Sequence, residues 1–298
     1  MKALLRVLMA MVVLVGRIEA WLLPVSWLFA MGRLSARAMV RFMPGLRATL
    51  LDNARHLLGP DSTLAERRAL AVAVLTSFSR FFVEILTAPK TYPDPEAFFA
   101  RAVGRAHGEA AYAQGKGVIG LTLHMGNAEL GSMLLTRLFQ PVAVVYHRDP
   151  FGLVESMRSR KRRAHALEEI HTDGAPFFGV RVLDVLRRRG FVLAAGDLGF
   201  AHERGETYPF LDGQARFLTW PARLALTSGA PIVPSFVVRE ADGQYAVRME
   251  PAIDPAEAGD VDTIMLRLIA IYERYVRAYP DQWLILHRYW EPAPEATP

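Results

Sequence analysis

Residues 117–130 read GVIGLTLHMGNAEL, and the fold is decided there. Val118 to Leu123 form a short apolar run, partly β-branched, closed by Gly117 before it and His124 after it. Such a run suits a strand buried on both faces. Gly126 permits a sharp backbone turn, Asn127 is a good helix N-cap, and Glu129 falls in the first helical turn, where the helix dipole favours a carboxylate. The stretch therefore predicts strand, turn and helix, with a histidine at the strand's carboxyl end and a carboxylate five residues later. On one helix those two residues would point about 140° apart. They meet only if His124 precedes the helix and Glu129 opens it. A neutral imidazole held by a carboxylate is a general-base pair. The same residues also serve as a buried structural histidine beside an ordinary cap.

Outward from this stretch, strand-like and helical runs alternate. Strands are expected at Val142 to Tyr146, Phe191 to Ala195 and Pro231 to Arg239, with Gln244 to Met249 returning through Asp242-Gly243 as a hairpin. Helices are expected from Asn127 to about Phe139, Glu155 to Ile170, Val180 to Arg189, Trp220 to Ser228 and Val261 to Tyr279. Alternation predicts an α/β fold, a mixed central sheet flanked by helices, with sites at the carboxyl ends of the strands. His124 and Asp197 both fall at such ends.

The N-terminal part has a different character. Two apolar runs, Val7 to Gly16 and Ala20 to Gly32, are interrupted by Arg17, Glu19 and Pro24. Each is shorter than the roughly 20 residues a spanning helix needs. Residues 1–32 read as a membrane anchor or interfacial helix, with a cleaved signal peptide or a helix packed on the domain as alternatives. Residues 33–298 form the main domain. Arg33, Arg37, Arg41, Arg47 and Arg55 follow the apolar segment, as at an anionic cytoplasmic membrane face. Thr63 and Glu66 make a capping box for a helix expected through Leu86 and stopped by Ala88-Pro89-Lys90.

Hydrophobic residues make up 52% of the 298, the net charge is +5, and there are no cysteines. The missing cysteines exclude thiol catalysis, cysteine metal sites and disulfides. The positive charge favours acidic partners. The run Arg158, Arg160, Lys161, Arg162 and Arg163, joined by Arg187 to Arg189, would suit an acidic carrier protein or lipid phosphates, or is a plain solvated helix face. Stacking aromatics are not interleaved with it, which disfavours nucleic acid.

His124-Met125-Gly126-Asn127-Ala128-Glu129 resembles the H-x4-D/E motif of membrane acyltransferases, in the H-x-G-N-x-E form of the lipid A late acyltransferase family. That family also includes phosphatidylinositol mannoside acyltransferases. Further matches keep its order: Gly115-Lys116-Gly117, Tyr146-His147-Arg148, Asp197-Leu198-Gly199, Pro209-Phe210-Leu211-Asp212-Gly213, Gly229 to Pro234, and Gln282-Trp283 with His287-Arg288-Tyr289-Trp290. Ala195 stands where the first Asp of the family's D-x-D is usual, and His147 shifts its Tyr-Arg spacing by one.

The resemblance implies a glycerolphosphate-acyltransferase-like fold at the cytoplasmic face of a bacterial inner membrane. It implies transfer of an acyl chain from acyl-carrier protein or acyl-CoA to a hydroxyl of a lipid A precursor or related glycolipid, without a cofactor. In that reading His124 is the general base and Glu129 orients it. Arg148 stabilises the oxyanion or holds phosphate, Asn127 and Asp197 join it as substrate-binding or oxyanion residues, with Asp197 shaping the site rather than doing chemistry, and the Arg158–Arg163 run docks the carrier protein or phosphate. A metal hydrolase using His124, His202, Asp197 and Glu203, and a non-catalytic lipid-binding scaffold, are the other classes.

Overall fold

The computed structural model describes residues 22–91, 101–148, 152–173, 177–197 and 205–291. Most of the expected N-terminal segment, residues 1–21, lies outside them, as do His202 and Glu203.

Three helices come first: α1 (Val25–Phe42), α2 (Pro44–Leu58) and α3 (Leu64–Thr91). Helix α1 runs unbroken through the boundary expected at residue 32. The capping box before α3 forms as anticipated. Glu66 Oε2 accepts from the Thr63 N–H at 2.7 Å, and the Glu66 N–H donates to Thr63 Oγ1 at 3.2 Å. Helix α3 runs past Pro89 rather than stopping before it. Its segment Leu64–Thr87 is long and apolar enough to cross a membrane, but α3 packs against both α1 and α2. A core helix passes the same length test.

After helix α4 (Arg105–Ala113) the sheet begins. Its strands are β1 (Val118–Thr122), β2 (Val142–Tyr146), β3 (Leu167–His171), β4 (Phe191–Ala195), β7 (Ile232–Arg239) and β8 (Tyr245–Met249). Among the described residues they run in the order β3-β2-β4-β1-β7-β8. Only β8 is antiparallel to its neighbour, which makes the sheet mixed as expected. A separate hairpin, β5 (Gly205–Phe210) and β6 (Gly213–Leu218), was not anticipated.

Helices α5 (Ala128–Leu135), α6 (Gly152–Ala164), α7 (Phe178–Arg187), α8 (Trp220–Ser228), the single turn α9 (Pro255–Ala258) and α10 (Val261–Ala278) complete the fold. The helix expected from Glu155 to Ile170 is a helix followed by a strand. It ends at Ala164, Ala166 takes a positive φ of 57°, and Leu167–His171 pairs with β2.

The sheet separates two cores. Ile119, Leu121 and Leu123 face the larger one, with α8 and α10. Val118, Phe191 and Val233 face the smaller one, with Ala111 of α4 and Met133 and Leu135 of α5. Strands buried on both faces explain why β1, β4 and β7 read as near-continuous apolar runs.

Candidate active site

Strand register brings the two central residues together. Strands β1 and β4 are parallel neighbours, with Thr122 opposite Ala195. His124 and Asp197 each lie two residues further on, side by side at the carboxyl edge. Asp197 Oδ1 lies 2.7 Å from His124 Nδ1. Its Oδ2 accepts from the His124 main-chain N–H and from Trp283 Nε1, both at 2.8 Å. Asp197 is fully buried. Burial alone would push its pKa up, but the His124 imidazole and the three hydrogen bonds outweigh it and hold the carboxylate below its usual range. With Nδ1 donating to Asp197, a neutral imidazole carries its lone pair on Nε2.

The turn after His124 is clamped from the far end of the chain. The Leu284 N–H donates to the His124 carbonyl at 2.7 Å and the Gly126 N–H to the Gln282 carbonyl at 2.9 Å. This pairing delivers Trp283 to Asp197. Gly126 has φ +55°, and a Cβ there would collide with the Val237 carbonyl oxygen, so the position demands glycine. Asn127 caps α5 as expected, its Oδ1 accepting from the Leu130 N–H at 3.1 Å. Its amide donates to Glu84 Oε2 at 2.9 Å, which ties the cap to α3.

Glu129 departs from expectation. It opens α5, but its described partners are arginines rather than His124. Oε1 accepts from Arg162 Nε at 2.7 Å, and Oε2 accepts from Arg162 Nη2 at 2.8 Å and Arg158 Nη2 at 2.7 Å. Burial favours its neutral form, yet Arg158 and Arg162 hold it ionised, with its pKa lowered. Arg162 is 1% exposed and lies over the Tyr146 ring, 3.9 Å from its centroid. The Tyr146 hydroxyl faces Glu155 at 2.7 Å and Glu169 at 2.8 Å. Burial and those two carboxylates push its pKa far up.

The expected docking run therefore divides. Arg158 and Arg162 turn inward to Glu129, because a spacing of four puts both on one helix face. Lys161 bonds to the Ile85 carbonyl. Arg160 and Arg163 remain exposed. Arg148 pairs with Asp173 at 2.7 Å, and His147 rather than Arg148 lines the cavity described next.

That cavity opens beside His124 and has a volume of about 320 Å³, within the range of small-molecule sites. Its lining includes the charged Glu129, Arg158 and Arg162 and the apolar Phe78, Leu135, Val237 and Met249. Among the described residues no group of three or more His, Asp or Glu is arranged to hold a metal ion.

The sequence profile of bacterial lipid A biosynthesis acyltransferases matches residues 2–291. The lipid A biosynthesis lauroyltransferase of Escherichia coli (strain K12) is 25% identical over 279 residues, covering 93% of this chain and 89% of that protein. The phosphatidylinositol mannoside acyltransferase of Mycobacterium tuberculosis (strain ATCC 25618 / H37Rv) is 24% identical over 283 residues, covering 89% of this chain and 88% of that protein. The chain belongs to the bacterial lipid A biosynthesis acyltransferase family and is an acyltransferase.

Proposed function

We propose that the chain moves a fatty acyl group from an acyl thioester, on acyl-carrier protein or CoA, to a hydroxyl of a lipid A precursor or related glycolipid. The observation that carries this is the His124–Asp197 pair beside a cavity lined mostly by apolar surface. His124 Nε2 takes the hydroxyl proton as the oxygen attacks the thioester carbon. Asp197 fixes the tautomer and stabilises the imidazolium. Collapse of the tetrahedral intermediate expels the thiolate, which takes the proton back from His124. The acyl chain lies against the apolar lining of the cavity.

Glu129 acts through the arginines. It holds Arg158 at the cavity wall, where a guanidinium is placed to stabilise oxyanion charge. Arg158 takes in this reading the role that the family resemblance suggested for Arg148.

Membrane attachment is part of the proposal. Trp27, Met31, Leu34 and Phe42 form an exposed apolar ridge along α1, and Arg33, Arg37 and Arg41 form an exposed stripe beside it. An amphipathic helix of this kind lies in an anionic interface, as at the cytoplasmic face of a bacterial inner membrane. Residues 1–32 supply the start of that contact.

Lipid mass spectrometry of membranes from cells expressing wild type or His124→Ala tests the reading. A lipid heavier by one acyl group in the wild type alone is the expected result. Equal lipid profiles with both proteins present in the membrane overturn it.

A further inference from the structure

We propose that Met249 sets the length of the acyl chain by closing the far end of the cavity against α4. This rests on the acyl-transfer reading above. The cavity crosses the sheet transversely under α5. Its wall takes Val144 from β2, Leu193 from β4, Thr122 from β1, Ser235 and Val237 from β7, and Met249 from β8. In the strand order these are successive neighbours, so the cavity reaches roughly 19 Å across the sheet at the usual strand spacing. The Glu129–arginine cluster stands on the β2 side, and β8 is the last strand on the other. The charged groups therefore lie at the end away from Met249, which orients a chain with its methyl end there.

Met249 is pinned from behind. Its main chain is held opposite Ser235 on β7, and its N–H donates to the Val103 carbonyl at 2.9 Å. Its side chain is 4% exposed and lies over Gly108 of α4. A Cβ on Gly108 would stand 2.7 Å from the Met249 sulfur and 3.7 Å from the Phe139 ring. The thioether thus occupies space that a side chain at position 108 would otherwise take. Trimming Met249 extends the cavity toward Gly108 and Phe139. Enlarging it, or adding a methyl group behind it, pushes the closed end back toward His124. One methylene at the end of an apolar pocket changes kcat/KM by about 10- to 200-fold, so the effect reads directly in chain preference.

The test uses the full-length protein in detergent and the decanoyl, dodecanoyl, tetradecanoyl and hexadecanoyl thioesters of CoA and of acyl-carrier protein. Hydrolysis to the free acid and thiol, with water as acceptor, is the readout, so the glycolipid need not be known. Met249→Ala is expected to move the optimum to a longer chain by at least one member of the series. Met249→Phe and Gly108→Ala move it to a shorter chain, with the ratio of kcat/KM between adjacent members changing about tenfold or more. Gly108→Ala approaches the same point from α4, so the test survives if one Met249 variant fails to fold. An unchanged optimum in active variants overturns the role of Met249 and leaves acyl transfer standing. A wild type that cleaves none of the thioesters overturns both.

Discussion

Asp197 holds His124 at two points, the ring Nδ1 at 2.7 Å and the main-chain N–H at 2.8 Å, across the gap between two adjacent parallel strands. The double grip fixes both the backbone and the ring orientation of His124. Asp197→Asn keeps the shape but not the charge. It is expected to lower kcat about a hundredfold to ten-thousandfold, the worth of a positioned acid–base group, with little change in donor KM. Steady-state thioester cleavage checks this. Wild-type kcat in the variant would remove Asp197 from the mechanism.

Glu129→Gln has a different signature. It leaves Arg162 buried with its main counter-charge gone, a loss of about 3–5 kcal/mol of stability for a broken buried pair. Denaturant unfolding measures it. A variant as stable as wild type but slow would mean that Glu129 acts on the substrate instead.

The buried carboxylates of Glu129 and Asp197 both have lowered native pKa values. Groups depressed on folding stabilise the protein above the ordinary carboxylate values near 4, and that stability drains as pH falls below them toward the lowered native values. The melting temperature is therefore expected to drop steeply below about pH 4. The drop should be shallower in Glu129→Gln, which has one such group fewer.

Charge reversal separates the arginines of α6. Arg160→Glu with Arg163→Glu changes exposed positions and is expected to raise KM for acyl-carrier protein several-fold while leaving acyl-CoA unaffected. Arg162→Glu faces Glu129 instead, and is expected to unfold the protein. Equal kinetics with both donors in the double variant would exclude docking at this face.

The ridge on α1 is tested by flotation with anionic vesicles. Trp27→Glu with Leu34→Glu is expected to lower partitioning at least about tenfold, since two apolar side chains leave the interface. Raising salt should weaken wild-type binding through Arg33, Arg37 and Arg41. Unaltered flotation of the double variant would place membrane contact elsewhere.

Much of the fold was legible because buried parallel strands announce themselves. Val142–Tyr146, Phe191–Ala195 and the helix Trp220–Ser228 were read to the residue. Strand β3 was not, because LEEIH carries two glutamates. The structure satisfies them from far away, Glu168 from Arg188 at 2.8 Å and Glu169 from Ser159 at 2.6 Å. Hairpin β5–β6 hides its apolar content in single buried residues such as Phe210 and Phe217.

The site was half legible for a related reason. His124 and Asp197 were both placed at strand ends, but sequence order does not say that β1 and β4 are neighbours. The spacing within residues 124–129 suggested a partner close in the chain. The arginines that claim Glu129 come from a helix some thirty residues later.

In the proposed reading, the cavity under α5 makes the donor more than a reactant. Residues of both cores line it, so in the proposed reading an unloaded protein folds around a gap that a hydrocarbon tail would fill. A thioester present at a hundred times its Kd adds about 2.7 kcal/mol to the stability of the folded state. When donor supply falls, the unloaded population grows and becomes the better substrate for cellular proteases. On that reading the amount of enzyme is expected to follow the supply of acyl chains.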